Sequence, residues 1–172
     1  MAILSPDDLF AQAEKLVVAP PAGPPLQVDV RRAISSAYYG LFHFVLTSVA
    51  DEFVGVSQRT TSRYALVYRG IDHGTLRTIC TEAKRAVPSA RYAAYLPTNG
   101  LGPLIQAFAT AAIDLQEKRH TADYNPRPRF KTLDAKLAIG AARSAIRRFE
   151  QADQASRKIL LTLLLCPPRT GT

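Results

Sequence analysis

The chain has 172 residues and a mass of 18.8 kDa, the size of one ordinary domain, and its 47% hydrophobic content excludes a mostly disordered protein. Twenty-two Lys and Arg against 14 Asp and Glu leave a net charge of +8, which favours a polyanionic partner, either nucleic acid or an acidic protein. Cys80 and Cys166 lie far apart with no CxxC, so neither a disulfide framework nor a zinc ribbon is encoded, and both read as free thiols.

In chain order, Ser5-Pro6-Asp7-Asp8 opens a helix: Ser5 caps it, Pro6 suits the first helical position, and two acids face the positive end of the dipole. The helix is expected to run to residue 19. Prolines 20, 21, 24 and 25 then impose a stiff linker over residues 20–25. A long helix is expected over 28–51, where Val30, Ala33, Ile34, Ala37, Tyr38, Leu41, Val45 and Val49 form one apolar stripe. Beside it Arg32, Ser36, Tyr39 and His43 make a polar row that suits a groove or a subunit contact.

Residues 52–62 read as a loop, 62–70 and 73–87 as short helices, and 88–103 as a long loop carrying Tyr92 and Tyr95. A helix over 101–124 is expected to face inward along Leu104, Phe108, Ala111 and Leu115, a line that continues to Arg119 and Asp123. Asn125-Pro126-Arg127-Pro128-Arg129 is a basic turn. The next helix, 131–153, is expected to bury Leu133, Leu137, Ala141 and Ala145, and a last one spans 154–165 ahead of a flexible tail at 166–172. No segment alternates in the manner of a strand. The fold class is therefore all-α, a single domain over 1–172 with an up-and-down bundle of four main helices plus shorter ones.

Several chemistries have no motif here. GxxxxGK[ST], GxGxxG and GxSxG are all missing, and His43, His73 and His120 are scattered without metal-ligand spacing. No cofactor or metal is implied. The N-terminal residues are acidic where a secretory leader is basic and apolar. The run from Ile159 to Leu165 is far below the ~20 residues that cross a bilayer, so a cytoplasmic protein without a membrane partner is expected.

Two segments carry the remaining information: Arg31-Arg32-Ala33-Ile34-Ser35-Ser36-Ala37-Tyr38-Tyr39-Gly40-Leu41-Phe42-His43, and Arg119-His120-Thr121-Ala122-Asp123-Tyr124. Their order and placement resemble the HEPN domain (higher eukaryotes and prokaryotes nucleotide-binding), in particular its small stand-alone prokaryotic members. Those pair an R-x-A-x-S-x-A-Y-Y-x-x-F-H helix with an R-x-x-x-D-Y ending on a later helix. The resemblance spans residues 7–149. It implies a helical bundle that forms a homodimer along the motif face. It also implies an RNA-associated role, in many members that of a metal-independent ribonuclease or toxin neutralised by a nucleotidyltransferase-like antitoxin protein.

Arg119 matches the family's catalytic arginine. Positions 124 to 126, where a histidine follows it in catalytic members, hold Tyr124, Asn125 and Pro126. Cleaving RNA without a metal needs a base, an acid and positive charge for the phosphorane. Arg119, paired with Asp123, suits the charge role because a guanidinium binds phosphate bidentately. His43, His120 and Tyr124 are the candidate proton-transfer groups, although His120 points about 100° from Arg119 on a helix. Arg32, Tyr39, Arg127 and Arg129 are candidate nucleic-acid contacts. Residues 127–158 hold nine Lys and Arg against three acids, a net +6 of the chain's +8. The competing reading is a non-catalytic helical dimer that binds a protein or nucleotide partner.

Overall fold

The computed structural model describes residues 4–21 and 23–168, and every regular element among them is helical. The order is α1 (Pro6–Leu16), α2 (Gln27–Phe53), a 3-10 turn (Val56–Gln58), α3 (Ser62–Tyr68), α4 (His73–Ala83), α5 (Gly102–Tyr124), α6 (Thr132–Gln151) and α7 (Gln154–Leu165). Three of these helices are long and four short. Ala22, inside the Pro-rich linker, and residues 169–172 of the tail lie outside the described residues.

Local chemistry sets the boundaries. Ser5 Oγ accepts the Asp7 N–H at 3.2 Å and Pro6 opens α1, as expected. The helix stops at Leu16, three residues early, because the Val17 N–H turns back to the Glu14 carbonyl and the Val18 N–H to the Lys15 carbonyl ahead of the prolines. Helix α4 likewise ends at Ala83 and not at 87. The buried Glu82 carboxylate accepts both the main-chain N–H (2.5 Å) and the hydroxyl (3.0 Å) of Ser89, folding the chain back. Asp72 and Asp153 cap α4 and α7 through the Thr75 and Ser156 N–H groups. The Asp153 cap separates α6 from α7 close to the boundary expected between them.

The chain divides into two compact units. One comprises Val45–Thr110 and the chain from Arg147 onward. In it α4 packs on α7, and Phe108 meets Phe149 with ring centroids 5.2 Å apart. Arg59 grips both oxygens of Asp51, whose Oδ1 also accepts the Tyr64 hydroxyl at 2.9 Å. Burial, reinforced by that carboxylate, pushes the Tyr64 phenol up to about 12. The long loop 88–103 is anchored by buried Tyr92 and Leu96, while Tyr95 is exposed. Gly100 closes it at φ +70°, where a Cβ would stand 2.8 Å from the Arg85 carbonyl oxygen, so only glycine fits.

The other unit comprises Leu4–Phe44 and Ala111–Ile146. Its core holds Phe10, Ile34, Tyr38 and Leu41 against the alanine-lined faces of α5 and α6. The α2 stripe is buried as expected. Of the expected α5 and α6 stripes, Phe108, Leu115 and Ala145 are buried as expected, whereas Leu104, Ala111, Leu133, Leu137 and Ala141 are not. On α5 the buried line runs Ile105, Phe108, Ala112, Leu115 and Ala122, leaving Leu104 and Ala111 half-buried. On α6 it runs Ala135, Ala138, Ile139, Ala142 and Ala145, and Leu133 and Leu137 stand 61% and 58% exposed. Small side chains dominate the buried face of α6 and suit close helix packing. By length and composition α2 is also apolar enough to cross a bilayer, but 67% of its most hydropathic window is buried inside the protein.

Candidate functional site

The site forms where one face of α2 meets the last turn of α5, wholly inside the unit that contains residues 4–44 and 111–146. Arg31, Ser35 and Tyr39 are spaced at i, i+4 and i+8, so their side chains leave the same side of α2. Each engages the end of α5. Arg31 Nη1 donates to the Ala122 carbonyl at 2.7 Å, Ser35 Oγ donates to Asp123 Oδ2 at 3.0 Å, and Arg119 Nη2 donates to the Tyr39 hydroxyl at 2.7 Å. Arg119 Nε stands 3.2 Å from Asp123 Oδ2, closing the network on α5 itself.

Arg119 is a covered cation. Its side chain is 11% exposed and that of Asp123 18%. The guanidinium carbon lies 5.2 to 5.9 Å from the ring centroids of Tyr38, Tyr39 and Tyr124, a cation–π cage. Burial by itself would lower its pKa. The Tyr39 hydroxyl, Asp123 and Tyr124 outweigh that, and the net shift is upward. Over this network lies a pocket of about 430 Å³, walled by Val28, Arg31, Arg32, Ser35, Tyr39, Ala122, Asp123 and Tyr124.

Of the polar row expected on α2, Arg32 and Tyr39 line the pocket, while the serine that reaches α5 is the buried Ser35 and not Ser36. Arg32 is exposed at the pocket wall, and Tyr39 serves both the network and the pocket. His43, one turn beyond Tyr39, is half-buried with its ring 6.3 Å from the Tyr39 ring, and burial lowers its pKa below the ordinary 6.5. Its imidazole is therefore neutral at pH 7. His120 is exposed and stacks obliquely on Tyr124, centroids 5.0 Å apart, on the outer side of α5.

Arg127 and Arg129 ride on a turn that is clasped from α2. Arg31 donates to the Ala122, Asn125, Pro126 and Pro128 carbonyls, satisfying acceptors that the end of α5 leaves open, and lies 5.2 Å from the Phe130 ring centroid. Gln27 makes a two-point bond with Phe130, donating to its carbonyl at 2.8 Å and accepting its N–H at 2.6 Å. Asn125 Oδ1 accepts the Arg127 N–H at 3.0 Å, bending the chain at its first residue. The Arg127 and Arg129 side chains are left in solvent.

Gln27, Arg31 and Ser35 are the functional-site residues that sequence reasoning missed. The 31–35–39 spacing was an available signal. The Gln27–Phe130 bond spans 103 residues and leaves none. Among the described residues no three His, Cys, Asp or Glu side chains gather as a metal-holding group. Comparison with protein-family models, with curated proteins and with solved structures gave no match for this chain.

Proposed function

We propose that this chain is a HEPN-like, RNA-associated protein that holds the RNA backbone through Arg32, Arg127 and Arg129 around the pocket at the end of α5. The supporting observation is a division of labour among arginines. Arg119 and Arg31 spend their hydrogen bonds inside the protein. Arg32, Arg127 and Arg129 are exposed, and among the described residues their guanidinium groups enter no hydrogen bond or ion pair. Exposed cations on a fixed scaffold are what phosphate contacts require. In this reading the Arg119–Tyr39–Asp123–Ser35 network is the platform. A second copy of the chain completes a homodimer on the motif face, and a nucleotidyltransferase-like protein is the proposed antagonist.

One observation favours a catalytic version. His43 presents a neutral imidazole near Tyr39, suited to accept a 2′-hydroxyl proton, with Arg119 steadying the phosphorane and Tyr124 or His120 near the leaving oxygen. Incubating the protein with labelled RNA in excess chelator tests both versions. Binding at 50 mM salt with intact RNA is the outcome for the binding protein. Cleavage that Arg119→Ala and His43→Ala each abolish is the outcome for the ribonuclease. Absence of any RNA complex at 50 mM salt removes the reading.

A further inference from the structure

We infer that Gln27 and Arg31 are positioning residues for RNA, holding the 125–130 turn so that Arg127 and Arg129 meet neighbouring phosphates without first having to be ordered. The inference rests on the RNA reading above.

The turn has little to hold itself. Pro126 and Pro128 donate no N–H, so their neighbours cannot build a helical or sheet ladder there. Among the described residues the one side-chain hydrogen bond made within the turn is the Asn125 bend. Its order comes from α2. The four carbonyls taken by Arg31 run from the last turn of α5 through Pro128, and the Gln27 pair takes both polar main-chain groups of Phe130. Every hydrogen bond from α2 to this turn is therefore to main chain, so the clasp fixes backbone and leaves the Arg127 and Arg129 side chains unspent. Arg31 lines the pocket, yet four of its five N–H donors already point at carbonyls and are not free for a phosphate in that arrangement. A positioning role follows for Arg31 and a contact role for the two arginines it holds in place.

The two roles give different signatures. A lost phosphate contact lowers the salt dependence of binding, because fewer counterions are released. A lost support weakens binding at every salt concentration alike, because the turn must be ordered on association. The experiment measures RNA affinity against salt for the wild type, Gln27→Ala, Arg31→Lys, Arg127→Ala and Arg129→Ala, with hydrogen exchange of the Phe130 amide. Gln27→Ala is expected to bind about three- to tenfold more weakly with an unchanged salt slope. Arg31→Lys keeps the charge but loses the fork, and is expected to behave the same way. Arg127→Ala and Arg129→Ala are each expected to lower the slope on single-stranded RNA by about 0.7. The Phe130 amide is expected to exchange faster in Gln27→Ala while core amides do not, which separates a loosened turn from a misfolded chain. Wild-type affinity in Gln27→Ala, or a reduced slope in Arg31→Lys, overturns the positioning role while leaving the RNA reading in place. A wild type that binds no RNA at any salt concentration instead overturns the RNA reading, and this inference with it.

Discussion

At the scale of single residues, two glycines on facing sides of the same argument give opposite expectations. Gly40 lies on α2 against Phe10, and a Cβ there would stand 2.7 Å from two atoms of a ring that is 1% exposed. Gly40→Ala is expected to destabilise the protein by about 1–3 kcal/mol through overpacking. Gly140 sits inside α6 with nothing within 4 Å of its Cβ position, so Gly140→Ala is expected to stabilise by about 0.5–1 kcal/mol through helix propensity. Urea titration of both variants checks the signs. His43 supplies a pH dependence. Its folded-state pKa lies below the 6.5 of the free side chain, so just under that pH the unfolded chain binds more protons than the folded one. Its contribution is complete above pH 6.5 and is lost as the pH falls. His43→Asn is expected to flatten the loss of stability measured between pH 7 and pH 5.

At the scale of elements, α6 shows why an apolar pattern can be read correctly and still be turned the wrong way. The leucines at 133 and 137 and the alanines at 135, 138, 142 and 145 both recur at helical steps, and hydrophobicity alone ranks leucine as the inward choice. On α6 the alanine face is nevertheless the one buried. Leu137→Gln is therefore expected to change stability by no more than about 0.5 kcal/mol, whereas Ala138→Leu, at 0% exposure, is expected to cost about 1–3 kcal/mol; thermal melts of the pair decide it. Helices α2 and α7 were legible because their stripes have no competing face. Helix existence, the Ser5 cap, and the meeting of Arg119 with Asp123 were legible because they are local. The Ser35–Asp123 and Arg119–Tyr39 bonds, 88 and 80 residues apart in sequence, and the clasp on residue 130 were not, because nothing local fixes which side chain of a polar row meets a distant helix. The long loop was read by its length as functional or mobile. Glu82 and Tyr92, which pin it, act through burial that no composition reveals.

At the scale of the whole molecule, the charge of +8 is divided between cations that are spent and cations that are not. Arg59, Arg119, Arg143 and Lys158 pair with Asp51, Asp123, Glu14 and Glu52, and such pairs leave little field for a partner. Arg32, Arg127 and Arg129 belong to the unspent set: Arg32 lines the pocket, and Arg127 and Arg129 stand on the turn that follows α5. The central claim is that these three are phosphate contacts. The direct test is the slope of log affinity against log salt for single-stranded RNA, in the wild type and in Arg32→Ala/Arg127→Ala/Arg129→Ala. The expected result is a slope shallower by about 2 in the triple variant, at an unchanged melting temperature, since each lost contact on a single strand removes about 0.7. Identical slopes in the two proteins would contradict it.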